Sequence, residues 1–550
     1  VGRILDSFTP EERYERQMWG VRSVMTGHTC FDRLGQLLQT MGLKAEQPRR
    51  RILVLSDALT DQVKACFARQ TYPDKELMAA EQATVQVVAE YDMVAWFHPE
   101  AEYGAFYLED MANGFKYTTC DYVTKSAWYE GDVLHQGVEH DYVEQMDSKY
   151  RTVFWQAAFQ PEFLLDGTPC QLPNGYSIDH FGYREGAVPQ QPRTEAYKLT
   201  VVVPVCGNGW HLYGKCFASL RRSSLFQDME ILLVDGAGNG GYSWKMAEEL
   251  ARCYPNVTAL GAEGPAGAVH ARNRGAAAAT APYVAFLDPE SEAVSDGYAR
   301  LYQIAVEQEL DVALGNIYVC DVENRVEDYY AGLMDAMSTQ RFEEGFGQGL
   351  RLTGFHPADL QAMVIRRSLI RNNGLFMVED AQEAVSLFTW QVLQAARRIE
   401  AVDLSVVLEY PSGTDKPADY LEKLLRLQGP KVDWLKQVGL LEAYMETGFA
   451  REAEAQVLTG VCLTPEGNRP AAAELAEQIL AVYRPWYAGG VPLIDEFLEK
   501  CRVKDYVGAA ELACQSLLPQ PVRPMLTVED LRGDGGQAKL QVEYRQKDGT

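Results

Sequence analysis

From residue 198 onward, apolar positions fall into short unbroken runs separated by amphipathic stretches. KLTVVVPV (198–205), MEILLVD (229–235), VTALGA (257–262) and YVAFLD (283–288) are almost wholly apolar. That is the pattern of strands buried on both faces. HLYGKCFASLRR (211–222), SWKMAEELARCY (243–254) and AVHARNRGAAAA (268–279) lie between them and carry helical spacing. Such alternation predicts βαβ units and a parallel, doubly wound sheet.

Upstream, RRRILVLSD (49–57) and YDMVAWF (91–97) predict two more buried strands. A helix around Val63 and Phe67 and a second over 104–118 follow them in turn. Residues 1–48 read as polar and helical, with Thr9 as N-cap, Pro10 in the first turn and Glu11 and Glu12 behind it. Residues 150–195 read as irregular, and QQPRTEAYK (190–198) as a linker. From about 415, LEKLLRLQ, VDWLKQVGLLEAYMETG and AAAELAEQILAVYRPWY are helical without strand signals, and AKLQVEYRQ (538–546) alternates as a half-buried strand does. The expected domains are 1–48, 49–190, 196–412, 415–517 and a tail at 518–550.

Composition narrows the function. The 550 residues exceed one hydrophobic core, and roughly 150 residues per domain gives three or four domains. A net charge of −26 argues against a nucleic-acid or anionic-membrane binder, leaving room only for a local basic patch. Eleven cysteines, an odd number without CxxC, predict reduced thiols and a cytoplasmic setting. No apolar run reaches the ~18 residues of a spanning helix, and the first residues lack a signal-peptide core.

The chain also repeats itself. VAWFHPEAE (94–102) and VAFLDPESE (284–292) share Val, Ala, Pro and both Glu. In each copy an apolar strand closes on polar groups at the end where parallel sheets hold ligands. For the nonapeptide by itself, a strand-to-turn junction, where Asp, Pro and Glu are common, is the plainer account.

The surroundings favour a ligand. VVVPV (201–205), ILLVDGAGNGG (231–241) and HARNRGAAAATAPYVAFLDPE (270–290) follow one another in the order and spacing of a family-2 glycosyltransferase of GT-A fold, which residues 198–320 resemble. QTYPDKEL (70–77) resembles the Q-T-Y-x-x-x-E segment of the same family, so residues 49–190 resemble a reduced copy. The resemblance implies an α/β chain: tandem GT-A-like, Rossmann-like nucleotide-diphospho-sugar transferase domains, then an α-helical C-terminal domain.

It also implies site residues. Pro204, Asp235, Arg272 and Asp288 stand where the family meets the nucleotide sugar, and Asp288 and Glu290 where it holds Mg²⁺ or Mn²⁺. Three positions depart from the pattern. Gly236 replaces the second acid of V-D-D, Glu290 the second Asp of D-x-D, and Ser291 the acid after it. GLFMVEDAQEAVSLFTWQ (374–391) resembles the segment bearing the catalytic base, yet ungapped alignment puts Ala384 and Val385 at the acidic pair. Glu379, Asp380 and Glu383 are therefore the candidate bases, with first-turn acids complementing a helix dipole as the plainer account. His98 stands where Asp288 does, and His98 and Glu100 read as remnants.

Two functions stay open. One is a transferase moving a sugar from a UDP-type donor to a glycan, lipid-linked or protein acceptor. The other is a catalytically impaired relative serving as a partner subunit or glycan-binding scaffold, with homo- or hetero-oligomers formed through the helical domain.

Overall fold

The computed structural model describes residues 9–43, 50–186, 195–207, 209, 211–238, 241–262, 267–294, 296–320, 346–410 and 418–518. The tail strand expected at 538–546 lies outside the described residues, as does most of the linker. The chain divides into two compact units. One comprises Val1–Val326, Gln361–Arg371 and Val402–Tyr410; the other comprises Glu327–Leu360, Asn372–Ala401 and Pro411–Thr550.

In the first unit, β1 (Ile52–Ser56), β2 (Lys75–Ala79) and β3 (Met93–Trp96) are parallel, with β1 central. β1 and β3 are buried throughout, as their apolar runs require. Then come β4 (Glu102–Tyr103), β5 (Tyr122–Thr124), β6 (Trp128–Glu130), β7 (Val133–His135), β8 (Asp141–Met146), β9 (Thr152–Trp155), β10 (Cys170–Ser177) and β11 (Tyr183–Glu185). They complete a seven-stranded sheet, β2-β1-β3-β9-β5-β10-β8, and a four-stranded one, β4-β11-β6-β7. The stretch 150–195, expected to be irregular, thus carries three strands. They are short, and β10 shifts register between Gln171 and Gly175 around Pro173, which hides its alternation. Gly175 is required by close approach: a Cβ there would lie 2.1 Å from the Tyr122 ring.

The third, eight-stranded sheet begins where the apolar runs place it, with β12 (Leu199–Val205), β13 (Met229–Asp235), β14 (Val257–Leu260) and β15 (Tyr283–Phe286). β16 (Glu292–Ala293), β17 (Val312–Val319), β18 (Met363–Arg366) and β19 (Ile399–Glu409) extend it to the order β14-β13-β12-β15-β18-β17-β19-β16. The first four strands are parallel. β18 runs antiparallel to β15 and β17, and β16 to β19, so the sheet is mixed rather than wholly parallel. β18 and β19 lie far downstream, where no βαβ rhythm marks them.

The nonapeptide repeat is also a repeat of structure. β3, β4 and the helix Tyr107–Tyr117 recur as β15, β16 and the helix Gly297–Glu307, each displaced by 190 positions. Registers match as well: Ile52 pairs with Met93 as Leu199 does with Tyr283, and Met93 pairs with Trp155 as Tyr283 does with Arg366.

The N-terminal helix α1 (Pro10–Gly27) starts at the expected signal, with Thr9 and Glu12 forming a capping box. It ties the helix Tyr107–Tyr117 to the helix Ala218–Arg221. Arg22 pairs with Asp110 on one side, and Arg221 pairs with Glu12 and Glu15 on the other. Trp19 lies edge-on to Phe106 and stacks on Tyr213 with centroids 3.9 Å apart.

The second unit is helical from Tyr420 to Leu517. Tyr444, Phe449, Tyr483 and Trp390 fill its core. Within it Lys431 is buried against Glu452, which also accepts the Tyr444 hydroxyl at 2.5 Å. Among the described residues no helix is long and apolar enough to cross a membrane.

Candidate nucleotide-sugar site

The carboxyl ends of β12, β13 and β15 bring four of the expected residues together. β13 ends on Asp235, which is buried. Its Oδ1 accepts the backbone N–H groups of Ala237 and Gly238, both at 2.9 Å. Asp235 therefore shapes the glycine loop that follows it. Arg272, on the helix Ala268–Ala278, pairs through Nη2 with Asp288 Oδ1 beyond the end of β15. Glu290 follows one turn later, close to Gly207. Pro204 is buried inside β12, opposite Val234.

Cys206, just past β12, senses all four charged groups. Burial pushes its thiol up to about 11; Arg272 pulls it down, while Glu290, Asp288 and Asp235 push it further up. The Gly236 substitution acquires a physical reason here. A Cβ on Gly236 would stand 2.5 Å from Cys206 Sγ, so no side chain fits beside the thiol. A lone Cys after a strand carries no signal in the sequence.

Gln361 is equally invisible to sequence pattern. Its buried side chain accepts the Asp288 backbone N–H through Oε1 at 2.9 Å. Its carbonyl accepts the Tyr298 hydroxyl at 2.9 Å, and Tyr298 also reaches the Phe286 carbonyl at 2.8 Å. Asp288 is thus fixed by backbone as well as by its carboxylate.

Glu290 is held above the ordinary glutamate value, chiefly by burial and then by the charge of Asp288, against the pull of His211 and Lys215. His211 opens, and Lys215 lies in, a π-helical turn over Leu212–Phe217 where a plain α-helix was expected. Among the described residues, no cluster of three His, Cys, Asp or Glu is placed to hold a metal. The pair Asp288–Glu290 nonetheless suits a hard cation that keeps waters and shares phosphate oxygens. Two neighbouring carboxylates, one of them reluctant to ionise, are the group a cation would relieve.

The candidate bases lie in the second unit. Asp380 is tied to Lys423 and Arg426. Glu383 is the N-cap residue of the helix Ala384–Ala395 with φ 60°, and it accepts the Ser386 hydroxyl at 3.1 Å. Glu379 is exposed. In the first sheet the His98 ring lies edge-on to Tyr150 at 4.8 Å, and the Tyr150 hydroxyl donates to Asp57.

Residues 200–372 match the model of glycosyl transferase family 2. The chain is 36% identical over 123 residues to the Uncharacterized glycosyltransferase YibD of Escherichia coli K12, spanning 22% of this chain and 35% of that protein. It is 29% identical over 123 residues to Glycosyltransferase GlyG of Streptococcus pneumoniae serotype 4, spanning 22% of this chain and 40% of that protein. The chain thus spans well under half the length of the curated relatives it matches. The crystal structure of S. aureus TarS 1–349 is similar over 64% of this chain and 97% of that one, at 16% identity and a TM-score of 0.44.

Proposed function

We propose that the protein transfers a sugar from a nucleotide diphosphate donor, of UDP type, to a glycan, lipid-linked or protein acceptor. The observation that carries this reading is the convergence of Asp235, Arg272, Asp288 and Glu290 around Cys206, at the strand ends of a region matching family 2. Arg272 supplies a planar cation for the donor phosphates. Asp288 and Glu290 would hold Mg²⁺ or Mn²⁺, which on binding neutralises charge on the diphosphate leaving group. Asp235 orders the loop beside the donor, and Gln361 keeps Asp288 in place. Glu383 and Glu379 are the proposed bases for the acceptor hydroxyl, since Asp380 already serves two cations. The first sheet is read as a reduced copy of the same domain, on the matching registers and the displacement shared by β3 and β15.

Thermal unfolding with UDP-, GDP- and dTDP-sugars, each with and without Mn²⁺, tests the proposal. A nucleotide at a hundred times its Kd adds about 2.7 kcal/mol of stability. The expected result is metal-dependent stabilisation by a UDP compound. Absence of any response to all three leaves the scaffold role in its place.

A further inference from the structure

Buried cations in the first sheet's region have acids, with one exception. Arg22 pairs with Asp110, and Lys125 pairs with Asp179 at 3.2 Å. Arg151 is only 8% exposed, yet its Nε and Nη1 meet no hydrogen-bond acceptor, and no carboxylate pairs with it among the described residues. Acids are not scarce: the chain has 77 Asp and Glu against 51 Lys and Arg. The guanidinium lies instead over the Trp128 ring, with Cζ 4.6 Å from the centroid. Its charge eases the burial-raised hydroxyls of Tyr107 and Tyr183, so both stand near it. The Tyr183 hydroxyl is engaged with Glu185 at 2.5 Å, which leaves that carboxylate otherwise employed.

A cation–π contact does not replace a missing acceptor, and a buried unpaired charge is among the costliest groups a protein can carry. The position adds a second reason. Arg151 immediately precedes β9, and β9 runs antiparallel to β3. The Arg151 backbone therefore stands at the carboxyl end of β3, the end at which parallel sheets receive ligands.

We propose that Arg151 anchors an anion site in the first sheet, separate from the family-2 region, that takes an oxyanion: a phosphate group or a carboxylate. The planar fork of Arg suits two oxygens at once, and the Trp128 face fixes the plane in which they approach. The inference is independent of the donor-site reading, because it involves none of Asp235, Arg272, Asp288 or Glu290.

The test is thermal unfolding of the full chain titrated with inorganic phosphate in one arm and malonate in the other, at constant ionic strength. The chain is expected to gain a few degrees of Tm, saturably, in at least one arm, and the arm that responds identifies the oxyanion. Arg151→Met is expected to lose that response and, without anion, to melt no lower than the parent. Arg151→Lys, which keeps charge without the fork, is expected to bind the anion at least about tenfold more weakly, and it carries the test should the methionine variant not fold. Arg272→Met separates the two sites: it is expected to keep the response. A response lost in Arg272→Met and kept in Arg151→Met, equal affinity in Arg151→Lys, or no response of the parent in either arm overturns the site.

Discussion

Gln361 lies 73 positions beyond Asp288 in the chain, yet its side-chain oxygen accepts the Asp288 backbone N–H at 2.9 Å. In the first sheet the matching place is held by Tyr150, whose ring abuts His98. In both copies, the strand that returns antiparallel supports the residue at the end of the parallel strand.

Gln361→Met keeps the volume and removes the acceptor. A buried N–H without a partner costs about 1–3 kcal/mol. Slightly lower stability and several-fold weaker nucleotide binding are expected, read by chemical denaturation and calorimetric titration. Faster hydrogen exchange at the Asp288 amide would identify the lost bond directly.

Arg272→Met should weaken nucleotide binding by at least about tenfold, or ~1.4 kcal/mol. Because Arg272 and Asp288 are paired, the double variant with Asp288→Asn should cost less than the two single losses combined. Additive losses would show that the pair does not act together.

Glu290 sets a pH dependence. Its folded value lies above the ordinary 4.5. The ionised carboxylate therefore destabilises the fold at neutral pH, and this penalty fades as pH falls through the raised value. Cation binding needs the ionised form. Metal-dependent nucleotide affinity should thus fall on mild acidification, while pH is still above 4.5. Titrations across that range on the parent and on Glu290→Gln check this: the variant should lose both the metal response and its pH dependence.

Restoring the family's acid with Gly236→Asp is expected to destabilise the protein, because the new Cβ meets Cys206 Sγ. Overpacking of this kind costs about 1–3 kcal/mol. Cys206→Gly in the same chain should recover most of the loss, which a comparison of Tm values would reveal.

In the helical unit, Lys431→Met leaves Glu452 buried without its cation, although Tyr444 still donates to it. Breaking one side of such a pair costs about 3–5 kcal/mol. The double variant Lys431→Met with Glu452→Leu should be much closer to the parent in urea unfolding.

The strands β1, β3, β12, β13 and β15 were legible because parallel strands covered on both faces must be apolar throughout, and a run of such residues announces itself. Asp235 and Asp288 were legible as acids closing those runs, and Arg272 and Glu290 through the resemblance to the family. The antiparallel strands of the first sheet were not, since they are short or, in β10, interrupted by Pro173 and Gly175, and leave too little alternation to detect.

By itself the sequence determined the wholly apolar parallel strands, that one strand–turn–helix is written twice, and which acids stand at strand ends. These are local properties, decided by side-chain polarity over a few neighbouring residues. The tertiary structure alone decided that Gln361 supports Asp288, that Cys206 fills the space Gly236 leaves, and that Arg151 is buried without an acid among the described residues. Each of those depends on residues brought together from distant parts of the chain by strand pairing, and no local pattern encodes which strands will become neighbours.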